Sequence, residues 1–362
     1  MLSGMRRLAV APVLAVACAA IAVAVTPARA ATSMPRKVES LAQSTMVSAY
    51  GQKVAWSRYD PVSETYRLVV ASIGDLDAAP TVLPIAPRAA AFDVDLGPGP
   101  AGQTVAVYSR CATEPDGDYY GQKLWPNNAS GCDIYAYDFK AGAERKLTNL
   151  SSPVGEEFLP TIWKGQVAFA RSYGRHREGE WRDAMLYTHS VSGNEPSRRQ
   201  SQGSVRGLQR ISLTGLDLFG RRLALTRRFI GYDAGTSQAR LTTLGSGSRL
   251  LLQRNSGLTQ RILRSPQIHH GRVLWSEQCA ADTGGCTAAN YRFWRSPITT
   301  NAFTFSAAPR WTASAAFILD SVWWVRAAPG FGFDNVSACQ GSDPPDPAAR
   351  CELERAFVTF GR

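Results

Sequence analysis

The chain has 362 residues, 44% of them apolar and 19% charged, with 31 glycines and 21 prolines. That composition excludes a disordered or collagen-like chain and leaves a globular protein long enough to bury a large core. The net charge is +11, but no lysine or arginine run with interleaved aromatics is present, so nucleic-acid binding is not expected.

Residues 1–30 read as an export signal. Arg6 and Arg7 precede an apolar segment from Leu8 to Val25, and Ala28-Arg29-Ala30 offers a small-residue cleavage site before Ala31. The same residues admit an uncleaved anchor, a lipid-bearing Cys18 or, through the paired arginines, a twin-arginine route. No later segment is apolar enough to cross a bilayer, so no transmembrane span is expected after cleavage. The mature chain is expected in an extracellular, periplasmic or cell-envelope setting.

A short apolar phrase then recurs at roughly fifty-residue intervals, the mark of stacked units that cannot bury their faces alone. It reads Val54-Ala55-Trp56, Val105-Ala106-Val107, Val167-Ala168-Phe169, Leu223-Ala224-Leu225, Val273-Leu274-Trp275 and Val322-Trp323-Trp324. Glycine stands just upstream in most copies (Gly51, Gly102, Gly165, Gly220, Gly271), where it suits a tight hairpin turn. Each phrase is too short for a helix and rich in β-branched and aromatic residues, so it reads as a strand.

Around each phrase the unit predicts further strands. The first unit places them at 46–50, 66–72 and 81–85; the second at 92–96, 133–139 and 144–150. The third places them at 159–163, 184–191 and 197–202, the fourth at 216–219, 239–244 and 249–254. The fifth places them at 265–269, 291–296 and 303–306, and the sixth at 315–319 and 356–360, with no fourth strand before Arg362. A spare strand at 38–43 precedes the first unit. Pairing it with the last sheet closes a ring without exposed edges. The expected fold is all-β: one domain over residues 31–362, a six-bladed β-propeller of four-stranded antiparallel blades centred near 54, 105, 167, 223, 273 and 322.

The run Asp133-Ile134-Tyr135-Ala136-Tyr137-Asp138, followed by Gly142, Arg145-Lys146-Leu147-Thr148, Pro160, Trp163 and Val167-Ala168-Phe169, resembles the TolB-type, WD40-like propeller repeat. The resemblance implies a six-bladed fold and, often, a non-catalytic binding role.

Signal cleavage removes Cys18 and leaves an even set of cysteines for an oxidising compartment. Sequence proximity favours Cys111–Cys132, Cys279–Cys286 and Cys339–Cys351. No Cys-x-x-Cys spacing occurs, and His176, His189, His269 and His270 form no ligand pattern, so no metal and no cofactor is expected.

The units differ most in the connection between second and third strands: 59–65, 111–132, 172–183, 228–238, 278–290 and 327–355. Such connections emerge on one face of a propeller, and all three expected disulfides fall in or across them. Long loops on a rigid scaffold are where recognition usually resides. Tyr119, Tyr120 and Trp125 in the second connection, and Phe331, Phe333 and Asp334 in the sixth, are the contact-prone candidates.

Arginine follows the phrase in most copies (Arg58, Arg110, Arg171, Arg227, Arg326), either as a collar for an anionic ligand or as a brace on carbonyls and neighbouring aromatics. Asp93, Asp95 and Asp217 fall on first strands, where they would hold a polar ligand in the channel or bond to adjacent backbone. The expected function is an exported, monomeric, non-catalytic propeller that binds a protein or cell-envelope polymer through the disulfide-stapled face. The alternative is a propeller hydrolase or lyase acting on carbohydrate or lactone substrates, for which no sialidase-type box or nucleophile elbow is present.

Overall fold

The computed structural model describes residues 36–43, 45–75, 78–113, 130–173, 184–200, 210–230, 236–255, 261–269, 272–279, 292–297, 304–306, 312–318, 321–327 and 351–357. The expected signal at 1–30 lies outside them.

Strand β1 (Arg36–Leu41) comes first, followed by β2 (Val47–Tyr50), β3 (Lys53–Asp60), β4 (Thr65–Ser72) and β5 (Thr81–Val82). Next are β6 (Asp95–Pro98), β7 (Thr104–Arg110), β8 (Asp133–Asp138) and β9 (Ala143–Lys146), then β10 (Gly155–Trp163), β11 (Gln166–Tyr173), β12 (Ala184–Ser190) and β13 (Arg198–Arg199). β14 (Arg210–Phe219), β15 (Arg222–Ile230), β16 (Thr236–Thr243) and β17 (Ser248–Asn255) precede β18 (Arg261–His269), β19 (Arg272–Cys279), β20 (Arg292–Pro297) and β21 (Thr304–Ser306). The last three are β22 (Thr312–Ile318), β23 (Ser321–Ala327) and β24 (Cys351–Phe357).

These strands form an all-β propeller of antiparallel four-stranded blades. Among the described residues there are six such sheets, five of them meanders in sequence order. The other runs β1-β24-β23-β22, so the N-terminal strand completes the sheet built by the C-terminal end. The first strands of the five meanders and β22 of the last sheet pack in a cycle: β2 on β6, β6 on β10, β10 on β14, β14 on β18, β18 on β22, and β22 back on β2.

The recurring phrase forms the second strand of every sheet, and its alternation explains the packing. Ala55 joins a core that runs through the first four sheets, whereas Val54 and Trp56 point the other way and pack with Trp323, Val325 and Leu353 of the last sheet. Phe169 sits between the second and third sheets and Trp275 between the fourth and fifth. Trp56, Phe169, Trp275 and Trp323 are fully buried, each contributing about 1.5–3 kcal/mol or more as its apolar surface leaves water.

Several first strands start earlier than their apolar pattern indicates. β10, β14 and β18 each carry a bulge, between Phe158 and Thr161, Leu213 and Gly215, and Arg264 and Gln267. Leu159 and Ser265 adopt left-handed backbone there, with φ of 50° and 47°. A bulge adds a residue and changes which parity faces inward, so the alternation breaks and only the downstream half reads as a strand.

The last sheet also departs from expectation. Its third strand begins at Cys351 rather than 356, so residues 351–355 belong to the sheet and not to the preceding connection. β24 lies between β1 and β23, and its charged residues are accommodated individually. Lys37 pairs with Glu352 at 3.1 Å, and Arg355 lies 5.5 Å from the Trp323 ring while donating to the Ile73 carbonyl at 3.3 Å.

Candidate functional site

The ends of the second strands define one face of the propeller. There the arginines that follow the phrase meet acids and carbonyls from other strands. Arg58 on β3 pairs with Glu39 on β1, and the Trp56 indole donates to the other oxygen of that carboxylate at 2.8 Å. Arg110 pairs with Glu144 on β9 at 2.7 Å and donates to the Ala86 carbonyl at 2.8 Å. The Tyr108 hydroxyl donates to the same Glu144 oxygen at 2.6 Å; burial and that carboxylate push its phenol pKa upward.

Arg171 pairs with Glu157 at 2.7 Å, donates to the Leu150 carbonyl at 2.5 Å and lies 4.6 Å from the centre of the Tyr187 ring. Glu157 is fully buried, and its second oxygen has no hydrogen-bond partner among the described residues. Burial pushes its carboxyl up to about 8 despite the Arg171 charge, with Asp133 and Glu156 adding to the rise. Arg227, also fully buried, makes two contacts to the Gln238 amide oxygen, at 3.0 and 2.7 Å. Desolvation and the nearby Arg240 charge lower its pKa to about 9.

A covalent bond anchors the second connection on this face. Cys111, just beyond β7, is disulfide-bonded to Cys132, just before β8. Cys132 is held in turn by the third sheet: its N–H donates to Glu156 at 2.6 Å, and its carbonyl accepts the Glu157 N–H at 3.0 Å. Thr113 and Ser130 form a bridge inside the disulfide. The root of the long connection is therefore fastened to its own sheet and to the next.

Aspartates on the inner strands, and Asp93, which lies just before β6 and not on it as the sequence suggested, link successive sheets. Asp93, fully buried, accepts the Leu159 N–H at 2.8 Å, the Ser109 N–H and hydroxyl at 2.8 Å each, and pairs with Arg88 at 3.5 Å. Burial raises its pKa, against the pull of Arg88. Nearer the hairpin turns a relay runs round the ring. Ser48 accepts the Leu96 N–H at 2.8 Å, Asp95 the Ile162 N–H at 3.1 Å, Thr161 the Leu218 N–H at 2.9 Å, and Asp217 the Ile268 N–H. An inner strand has amides with no ladder partner on its channel side. A buried amide left unpaired costs about 1–3 kcal/mol, which these side chains prevent.

Of the expected site residues, the structure thus places Arg58, Arg110, Arg171 and Arg227 in internal contacts on one face. Arg326 lies on β23 as backbone, its side chain outside the description. Tyr119, Tyr120, Trp125, Phe331, Phe333 and Asp334 lie outside the described residues, as do Cys286 and Cys339; of Cys279 only the backbone is described. Cys351 is disulfide-bonded. Sequence reasoning did not single out Glu39, Glu144, Glu157 or Arg88, the partners that hold these groups. The Glu156-Glu157 pair inside an apolar strand was the available signal. Among the described residues no group of three or more His, Cys, Asp or Glu side chains is placed to hold a metal ion, and no helix is long and apolar enough to cross a membrane.

No protein-family model matches the chain, and no curated protein matches it. Solved structures do resemble it in fold. The β-propeller domain of the Trilobed protease from Pyrococcus furiosus aligns at 10% identity over 91% of this chain and 83% of that one, with a TM-score of 0.45. The phage phi92 endosialidase aligns at 9% identity over 91% and 69%, with a TM-score of 0.48. A TolB-like protein from Agrobacterium tumefaciens aligns at 14% identity over 57% and 64%, with a TM-score of 0.34.

Proposed function

We propose that the chain is an exported, non-catalytic, six-bladed propeller, one domain over residues 31–362, that binds a protein or cell-envelope polymer. The binding surface is the face where second and third strands connect. The observation that carries this reading is the double anchorage of the second connection: the Cys111–Cys132 bond, and the two hydrogen bonds that seat Cys132 on the third sheet. A root held this firmly fixes where the loop leaves the scaffold, as recognition loops on rigid scaffolds require. Without Arg6, Arg7 and Arg29 of the signal, the chain keeps 37 basic against 29 acidic residues, and this net +8 suits an anionic partner, such as a wall polymer or an acidic protein surface.

The side chains with catalytic potential support the same reading. A propeller that cleaves sugars needs paired carboxylates facing a substrate. Here Asp93, Asp95 and Asp217 are buried and accept hydrogen bonds from backbone and hydroxyl groups. The test is retention of material from envelope extract by the mature protein, compared with variants lacking 114–129 or 328–350. The expected result is loss of capture by both, with salt weakening what the intact protein retains. The variant lacking 114–129 keeps Cys111 and Cys132 and should melt with the parent. The variant lacking 328–350 also loses Cys339, the expected partner of Cys351, and should melt lower. Equal capture by all three proteins would refute the assignment of this face, and turnover of a polysaccharide or lactone would replace binding with catalysis.

A further inference from the structure

The positive charge of this protein is not spread evenly round the ring. Residues 196–276 hold fourteen arginines and no lysine against two acids, Asp217 and Asp233, a net charge of +12. The rest of the chain beyond the expected signal holds 23 basic and 27 acidic residues. The basic segment supplies the fourth strand of the third sheet, the whole fourth sheet and the first strand of the fifth.

The structure gathers part of this charge in one place. Arg221 and Arg222, at the turn between β14 and β15, are exposed. The Arg221 guanidinium donates to the Leu244 carbonyl at 3.0 Å, which ties it to the turn between β16 and β17. From that turn the Gly245 N–H donates to the side-chain oxygen of Gln200, just beyond β13 of the third sheet, at 3.3 Å. Arg198, exposed on β13, pairs across the sheet with Thr188, whose hydroxyl accepts the Gln200 amide at 2.8 Å. Arg198 and Gln200 therefore share the sheet face turned toward the fourth sheet. Arg240 is held at the same turn, donating to the Ser248 hydroxyl at 2.8 Å and carbonyl at 3.0 Å. This is the end of the ring opposite the connections between second and third strands.

The first three sheets neutralise their arginines differently: Arg58, Arg110 and Arg171 each meet a glutamate. In the fourth sheet Arg227 and Arg240 converge on one neutral oxygen, that of the Gln238 amide, Arg240 at 3.3 Å. Among the described residues no carboxylate pairs with Arg198, Arg199, Arg221, Arg222 or Arg240.

A patch without counter-charges attracts anions, and guanidinium forks suit carboxylate, sulfate and phosphate oxygens. Its surroundings select among anionic partners. Of the large apolar side chains exposed among the described residues, only Leu250 lies in this segment, and it is not aromatic. Protein and membrane interfaces need apolar anchors, and single-stranded nucleic acids need aromatic rings to stack on. A hydrated polymer with charge at intervals needs neither.

We propose that the hairpin-turn end of the fourth sheet, with the adjoining edge of the third, is a docking surface for a linear anionic glycan. This surface is separate from the connection face and stands whether or not that face binds.

The experiment titrates the mature protein with alginate, a glycan bearing one carboxylate per sugar, at low and raised salt. Replacing Arg198, Arg221 and Arg222 together by glutamine should weaken binding about tenfold, the combined effect of three exposed ion contacts, and reduce its salt dependence. These positions are exposed, so the variant should melt with the parent. The control, Lys140→Gln with Arg145→Gln and Lys164→Gln, removes the same charge from exposed positions on the second and third sheets and should bind as the parent does. Equal weakening by the two triple variants, or no binding by the parent, overturns the proposal. Tighter binding to single-stranded DNA or to phosphatidylglycerol vesicles, lost with the same three arginines, overturns it in favour of a nucleic acid or a membrane. The variant lacking 114–129 should bind alginate in full; loss of binding there would move the glycan to the connection face.

Discussion

The Trp56 indole donates to the Glu39 carboxylate at 2.8 Å, which ties the second strand of the first sheet to the strand that completes the last one. Arg58 pairs with the remaining oxygen of Glu39, so a single side chain on β1 serves two residues of β3. Glu39→Ala leaves the N–H of a fully buried tryptophan without its acceptor, at a cost of roughly 1–3 kcal/mol. Urea denaturation measures this. Removing residues 31–44 takes away the whole strand and exposes the edge of β24, and should lower the melting temperature well beyond the point variant. A truncated protein that melts with the intact one would show that the ring does not depend on β1.

Gly97 illustrates how closely the inner strands approach. A Cβ there would lie 2.0 Å from the Ile162 carbonyl oxygen, a backbone atom in the next sheet that cannot turn aside. Gly97→Ala should therefore cost on the order of 3 kcal/mol or more, by forcing the second and third sheets apart. Gly142, at φ +64° with open space around it, is the control: alanine there should cost only about 1 kcal/mol, from backbone strain alone. Equal losses at the two positions in chemical denaturation would contradict the close approach.

Much of this arrangement is legible in the sequence, for particular reasons. The apolar phrases identify β3, β7, β11, β15, β19 and β23 because these second strands pack on neighbours through both faces. The upstream parts of β10, β14 and β18 are not legible, because their bulges reverse the inward parity. β24 hides for another reason: Glu352, Glu354 and Arg355 read as a solvated connection, yet they are buried between β1 and β23. At the candidate site the arginines stand out by spacing. Their carboxylates do not, since Glu39, Glu144 and Glu157 come from the closing, fourth and first strands of different sheets. No period in sequence connects those places; the pairing exists only through space.

The Cys111–Cys132 bond has a sequence separation of 21 and closes the second connection. Cross-links of that loop length contribute roughly 2–4 kcal/mol by restricting the unfolded chain. Replacing both cysteines by alanine should lower stability by that amount and leave the cycle of inner strands in place. Limited proteolysis should then cut first between residues 113 and 130. A double variant with the parental cleavage pattern would mean that the hydrogen bonds from Cys132 to the third sheet anchor the loop unaided.

Glu157 predicts a pH response of its own. Its carboxyl is raised from 4.5 to about 8 by burial, so the folded protein binds a proton there that the unfolded chain has already released near neutrality. Stability from this group is complete below the unfolded value and lost as pH rises from 4.5 through about 8. Glu157→Gln keeps the shape and fixes the neutral state, so at pH 6 it should change the melting temperature little. Above pH 8 the parent must hold a buried charge whose second oxygen has no partner among the described residues, and the variant should melt higher. Arg171 sets the size of that difference, because its guanidinium at 2.7 Å is the chief compensation for the ionised form. Arg171→Met should therefore widen the gap between the parental Glu157 and its glutamine variant at high pH. Thermal melts of the four proteins at pH 6 and pH 9 form a double-mutant cycle, and a coupling that does not grow with pH would show that Glu157 is already ionised at neutrality.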